Sequence, residues 1–324
     1  MATSGSFNFV QHRNSIIHDA LVTAGIVRAE ETPSGEMNAS AARMLNRMLK
    51  AWTAHGLQLW LHKDVIIMLE DGKRSYDLYE TGDRYFIKKD ASETKLNGAL
   101  TASATAVTVD STTGMTASDV IGIITTGNTI HWDTIASVDT STTLTLTTGV
   151  AAAADDNAYV VAYTTKAPRC HRITNAELYR DNDRVYPMNI IPREEYYGLS
   201  KGENEGTPIH VYFTPEYDRA AIYVWPLPDA DDMRIVANVQ TQVDDLDSAT
   251  DDIYYPQYWL DAIHWNLAWR LYLDYGRARG TDRYGTEPNH MKSMARETLK
   301  EAMDFDTEYT EIQLEPETQW QPYI

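Results

Sequence analysis

The sequence predicts an α+β fold: a helical bundle built from N- and C-terminal helices, a β-rich middle, and a small all-β module inserted in that middle. Three observations predict it. Apolar residues recur at helical spacing near both ends of the chain, as one face of a helix requires. Between the ends, short apolar runs are punctuated by turn residues. Within that middle no Lys or Arg occurs from Lys95 to Lys166, and Thr, Ala, Ser, Val and Asp dominate.

Taken in order, Ser15–Val27 reads as a short helix closed by Gly25. Asn38–Trp52 places Ala41, Met44, Leu45, Met48, Leu49 and Trp52 on one face. Asn38 or Ser40 is the expected cap, and Gly56 suits the left-handed residue that ends it. Asp64–Glu70 and Arg74–Tyr79 flank Asp71-Gly72, which predicts a hairpin. The stretch poor in basic residues predicts strands at 106–110, 120–124, 129–132, 143–146 and 159–161, with turns at Thr113-Gly114, Gly127-Asn128 and Asp155-Asp156. Such spacing suggests a sandwich- or barrel-like module over 96–161. It has its own strand pattern and its own composition, and it is expected to be peripheral.

The host core resumes with strands at 209–213, 221–225 and 234–240 and a short helix opened by Pro192-Arg193. Ile209, Val211 and Phe213 alternate with His210 and Tyr212, as a half-buried strand should. A helix over 256–275 is apolar on two sides: Ala262, Ile263, Leu267 and Leu271 make one stripe, and Tyr258, Trp265, Trp269 and Tyr272 another. Two aromatic-rich faces need two partner surfaces, so this helix reads as both core and subunit contact, with Arg270 and Arg277 beside it. The last helix, 288–306, has Met291, Met294, Ala295, Leu299, Ala302 and Met303 as its apolar line. Beyond it the chain turns extended. The host core is thus expected over 1–95 and 162–306, and 307–324 as a docking tail in which Leu314, Trp320, Tyr323 and Ile324 are large apolar groups without a helix or strand of their own.

Phe7-Asn8-Phe9, Ser15–Val27, Met44–Trp52, Gly56-Leu57-Gln58-Leu59-Trp60 and Asn266–Leu271 occur in an order that resembles the head-to-tail adaptor proteins of short-tailed bacteriophages, also called tail accessory or packaged-DNA-stabilisation factors. The resemblance covers roughly 7–70 and 254–306. It implies a virion protein at the head–tail junction, assembled in the host cytoplasm. It implies a homo-oligomeric ring, a dodecamer, beneath the portal protein, with a C-terminal segment that reaches the portal. Further partners would be other tail proteins (nozzle, tail fibre or spike) and double-stranded DNA passing through the lumen without sequence-specific binding. Such a ring retains the packaged genome, extends the DNA channel and provides the platform for the tail.

Composition sets bounds on this picture. With 43% hydrophobic residues, 20 Tyr and 8 Trp, the chain can build a core. The single cysteine, Cys170, excludes an internal disulfide framework and fits assembly in a reducing compartment. No signal segment is visible at Met1–Gly5, and no apolar run approaches the ~20 residues that span a bilayer, so no membrane association is expected. A net charge of −19, from 47 acids against 28 bases, argues against a protein that grips phosphates; it keeps a monomer soluble, and it would repel DNA in a pore.

No phosphate-binding, nucleophile-elbow or zinc-helix motif occurs, so neither cofactor nor metal is expected and the chain reads as no enzyme. Cys170-His171 are strand neighbours that point to opposite faces, which prevents them from acting as a nucleophile and base. The acidic loop Asp244, Asp245, Asp247, Asp251 and Asp252 lacks the Gly and closing Glu of a calcium loop, leaving cation binding open. The alternative function is a tail-associated peptidoglycan hydrolase, because an acidic chain brings carboxylates together by chance. Arginines fall in two stretches, Arg169, Arg172, Arg180, Arg184 and Arg193, then Arg270, Arg277, Arg279 and Arg283. Salt bridges between subunits are their first expected use, since a closed ring needs complementary faces.

Overall fold

The computed structural model of the chain describes residues 9–53, 59–78, 84–126, 129–180, 184–200, 204–216, 219–230, 233–275 and 288–306. It is mixed α+β with a β-rich middle. The chain divides into two compact units: residues 1–60 with 243–324, and Leu61–Gln242.

Among the described residues the first unit holds four long helices, α1 (Arg13–Thr23), α2 (Gly35–Thr53), α4 (Leu260–Tyr275) and α5 (Pro288–Phe305). A short helix in the other unit, α3 (Arg193–Gly198), precedes α4 in the chain. α1 ends where Gly25 takes a left-handed φ of 70°. There the Gly25 N–H reaches the Val22 carbonyl and the Ile26 N–H the Leu21 carbonyl, so two end carbonyls are satisfied. α2 starts at Gly35, earlier than expected. Ser34, rather than Asn38 or Ser40, caps it by accepting the Met37 N–H at 3.3 Å. The expected closing residue Gly56 lies outside the described residues. The α2 face read from the sequence is the buried one: Ala41, Met44, Leu45, Met48, Leu49 and Trp52.

Three sheets build the second unit. β1 (His62–Met68), β3 (Phe86–Lys88), β10 (Cys170–Arg180), β11 (Arg184–Pro187) and β15 (Arg234–Thr241) form a five-stranded sheet in the order β11-β10-β15-β1-β3. β2 (Ser75–Asp77), β12 (Asn189–Ile190), β13 (His210–Pro215) and β14 (Ala220–Trp225) form the second, β12-β13-β14-β2. β4 (Ser92–Lys95), β5 (Ala106–Thr108), β6 (Val120–Thr125), β7 (Thr129–Val138), β8 (Thr143–Leu146) and β9 (Tyr159–Tyr163) form the third, β4-β9-β6-β7-β8-β5.

The expected hairpin around Asp71-Gly72 is not formed. The turn exists, with Gly72 at φ 67°, but it carries the chain from one sheet to another. β1 pairs with β15 and β3, while β2 pairs with β14. The turn is closed by Tyr76, whose buried hydroxyl accepts the Glu70 N–H at 2.9 Å and lies 3.1 Å from the Lys73 carbonyl. The two sheets it links share one core. Val65, Ile67, Ile235, Ala237 and Val239 from the first meet Tyr76, Val211, Ile222 and Val224 from the second. Tyr212, expected on the outer face of β13, is also buried, because α3 lays Tyr196 over it.

The six-stranded sheet contains the expected strands and adds β4. Alternation along it feeds two cores. Ile121, Ile123, Val160 and Ala162 join Leu96, Val107, Ile135 and Leu144 in a core of its own. The opposite face, Ile124, Ile130, Val161 and Tyr163, packs on Ile66, Met68 and Ile87 of the five-stranded sheet. Arg234 of β15 adds a polar tie. Its guanidinium carbon lies 4.4 Å from the centre of the Tyr159 ring, and Glu93 accepts a bond from the Tyr159 hydroxyl at 2.7 Å. The module is therefore joined along a face and not only at its ends, which corrects the expectation that it is peripheral.

Two outcomes follow from this packing. Replacing 92–163 by a short Gly/Ser linker exposes Ile66, Met68 and Ile87, each worth about 1.5–3 kcal/mol when buried. The shortened protein should unfold at markedly lower denaturant than the parent, and an unchanged midpoint would show that the shared face contributes nothing. Gly122 faces the Trp132 indole, and a Cβ there would lie 2.5 Å from it. Gly122→Ala should cost about 1–3 kcal/mol in chemical denaturation, against a near-neutral Gly35→Ala, where a Cβ meets nothing within 4 Å.

Candidate functional site

The helical unit is organised by α4. It touches α1, α2 and α5, and it is apolar around most of its girth. Ala262, Ile263, Leu267, Ala268 and Leu271 are buried. Polar side chains fix its neighbours: the Asn266 amide donates to the Ala295 carbonyl of α5 at 2.7 Å, and His264 bonds the Thr23 hydroxyl of α1 at 2.9 Å. Burial lowers the His264 pKa, so the neutral imidazole is the favoured form in that contact.

The residues expected at a subunit interface do not share one environment. Tyr272 is buried and stacks on Trp269, and both pack with Ala24, Ile26 and Met291 inside the unit. Trp265 is half-buried beside His264. Tyr258 lies before the helix. Its hydroxyl bonds Asp306 at 3.2 Å, and its ring sits 4.6 Å from Phe305, which is 72% exposed. Arg270 is half-buried near Arg47 of α2. Arg277, and the docking-tail residues Leu314, Trp320, Tyr323 and Ile324, lie outside the described residues.

The acidic loop is held down by helices α1 and α2. Arg13 donates to the carbonyls of Leu246 (3.2 Å) and Asp247 (2.7 Å). Asn46 uses both ends of its amide on one residue, donating to the Leu246 carbonyl at 3.2 Å and accepting its N–H at 3.1 Å. Lys50 pairs with Asp245, and His12 with Asp252 at 2.7 Å. A cleft of 290 Å³ runs between Leu49 and this loop, with Asp244, Asp251 and Tyr254 on its wall. Tyr255 closes it from below. Burial raises the pKa of that phenol above the usual tyrosine range, and its hydroxyl donates to the Leu49 carbonyl at 3.2 Å.

A second surface was not anticipated. On the outer face of β13 and β14, Tyr196 of α3 stacks on Tyr212, which stacks on Tyr223. Tyr197 is 56% exposed beside them, under the Arg193 guanidinium. The signal available was Tyr density around Tyr196-Tyr197, which periodicity does not weigh. Ring stacks of this kind suit apolar or planar partners.

Cys170 is buried at the start of β10 while His171 is exposed. Loss of hydration pushes the thiol pKa up to about 12. Among the described residues no group of three or more His, Cys, Asp or Glu could hold a metal ion, and no helix is long and apolar enough to cross a membrane.

No protein-family model matches the chain, and no curated protein matches it. Among solved structures, VP17, a capsid protein of bacteriophage P23-77, is similar at 14% identity over 60% of this chain and 75% of that one. The TM-score is 0.12, too low to carry an argument about fold or function.

Asn46→Ala strands the Leu246 N–H and leaves the Leu246 carbonyl to Arg13 alone, which should cost about 1–3 kcal/mol in denaturant unfolding; a loss below a few tenths would show the clamp to be idle. Cys170 should resist alkylation at pH 8 in the folded protein and react only on unfolding, as followed by intact mass. The sign of its linkage is fixed. A pKa raised by burial means that unfolding releases a proton once the pH exceeds about 9, the thiol's ordinary value. The stability contributed by the buried neutral thiol should therefore be fully present below pH 9 and be lost as pH rises toward 12.

Proposed function

We propose that this chain is a structural subunit of a bacteriophage virion, the head-to-tail adaptor. Its copies form a ring beneath the portal, extend the DNA channel and offer the platform for tail components. The observation that carries the reading is α4 packed against α1, α2 and α5, which brings chain segments from both ends into one helical unit. We read these four helices as the bundle of the adaptors that the sequence resembles, with the β unit inserted in the chain between its two pairs of helices. The work is mechanical, and no catalytic centre is needed for it. The net charge of −19 suits a lumen past which DNA slides without being held.

Native mass measurement of the purified chain, alone and with a portal ring, tests the reading. Addition of about one copy per portal subunit is expected. A chain that ignores the portal and lyses peptidoglycan in a zymogram, with lysis abolished by one Asp or Glu substitution, would replace the adaptor by the hydrolase. Removal of 308–324 should leave a folded subunit that no longer binds the portal. Trp320→Ala alone should weaken binding by about 2 kcal/mol or more, as truncation of a buried aromatic anchor does. Portal binding undiminished by the deletion would remove the tail from the docking surface.

A further inference from the structure

The six-stranded sheet closes on itself. β4 and β5 are its outermost strands, yet their ends meet: Leu96 pairs with Val109, the Asn97 N–H reaches the Thr108 carbonyl at 3.0 Å, and the Asp110 N–H reaches the Lys95 carbonyl at 3.0 Å. This contact is a seam that joins the two edges into a barrel. The segment that forms it also faces the return of the chain into β9. Leu96 donates to the Ala158 carbonyl at 2.9 Å, and Leu100 and Ala154 exchange bonds at 2.8 and 3.0 Å. Residues 96–100 and 154–158 are thus paired at both ends, with Gly98 and Asp156 held between them.

Asn97-Gly98 is the one Asn-Gly pair of the chain, and both residues are exposed. Gly98 takes a φ of 110°, and a Cβ there would meet nothing within 4 Å. Such a pair is chemically labile, because no side chain on the glycine keeps its nitrogen from the carboxamide carbon before it. What slows the reaction is the proton that the amide nitrogen must give up. The Gly98 N–H donates to Asp156 Oδ1 at 2.7 Å, within the reach a general base needs. Asn157, itself at a φ of 64°, steadies that carboxylate: its backbone N–H donates to Oδ1 at 3.0 Å and its side-chain amide to Oδ2 at 3.0 Å. Asp71-Gly72, the one Asp-Gly pair, is built differently. There the Gly72 N–H donates to the Pro228 carbonyl at 2.9 Å, which is no base.

We infer that Asn97 is a site of self-modification in the folded protein, with Asp156 as its base. Asp156 takes the Gly98 proton as the Gly98 nitrogen bonds to Asn97 Cγ. The Cγ–Nδ2 bond breaks, and Nδ2 leaves as ammonia with the proton that Asp156 took. Water then opens the cyclic imide at either carbonyl, leaving aspartate or isoaspartate at position 97. Each product sets a new carboxylate near the exposed Asp156, and isoaspartate also lengthens the backbone by a methylene. The change falls on the seam, so the bond from residue 97 to Thr108 weakens as the protein ages. None of this depends on the adaptor reading.

Peptide mass mapping of the full chain, stored folded at mildly alkaline pH, tests the inference. Residue 97 should gain the mass of an amide turned to an acid, at least as fast as in a free peptide spanning 92–104. Asn46 and Asn238, which are followed by Arg47 and Val239, should keep their amides over the same period. Asp156→Asn keeps an oxygen to accept the Gly98 N–H but removes the base, and it should slow conversion about tenfold or more. Asp156→Glu should restore part of the rate. Thermal melting of both variants beside the parent shows whether the fold is kept, and the Glu variant carries the test if the Asn variant melts early. In the converted fraction, hydrogen exchange should quicken at residue 97. An Asn97 that stays intact while the free peptide converts would overturn the site. Conversion as fast or faster in a folded Asp156→Asn would overturn the role of Asp156 and make its bond a restraint instead.

Discussion

Helix α4 has no side that it can leave wholly in water, and the helical unit is arranged around that constraint. An amphipathic helix needs a single partner, but one that is apolar around most of its girth needs cover from several directions. α1, α2 and α5 supply it. Since α1 and α2 are the first helices of the chain, the requirement draws together segments separated by the entire β unit. The polar bonds then choose among ways of packing. Asn266 ties α4 to α5, and His264 ties it to α1. The segment leading into α4 is pinned by Arg13, Asn46 and Lys50, so the entry of the chain into the helix is set before the helix begins.

In the β unit the equivalent role falls to the five-stranded sheet, which is covered on both faces. Val65 and Ile67 point into the core shared with the second sheet, while Ile66 and Met68 point into the core shared with the third. Four consecutive apolar residues at the end of β1 are the sequence mark of a strand buried on both sides. The six-stranded sheet repeats the device along β6 and β9. A Thr-rich segment that could have been an ornament thereby becomes one wall of a shared core.

Much of this was legible because local chemistry and tertiary use agree. The buried stripe of α2 is the one that its spacing gives, and the strands between 106 and 163 fall where alternation and turn residues place them. What was not legible is non-local. Asp71-Gly72 specifies a reversal of the chain, and nothing in it states whether the flanking strands pair with each other or with β15 and β14. Tyr212 reads as an outward residue because strand alternation takes no account of the preceding helix, α3, which folds back to lay Tyr196 over it. The aromatics of the α4 region were conspicuous, yet a Trp gives no sign of whether its partner lies within the subunit or beyond it; Trp269 and Tyr272 find theirs inside.

The strands that begin and end the β unit lie side by side. His62 pairs with Gln240 in antiparallel register, and the Thr241 hydroxyl reaches the Leu61 carbonyl at 3.1 Å. From the standpoint of the helical unit, everything between residues 60 and 243 is a loop whose ends are already together. The entropy of closing a loop depends on how freely its ends roam. Once the β unit has folded, its ends roam no further than those of a tight turn. The order of events then matters: if β1 and β15 pair first, the helices from the two ends of the chain find each other as though they were near neighbours in sequence.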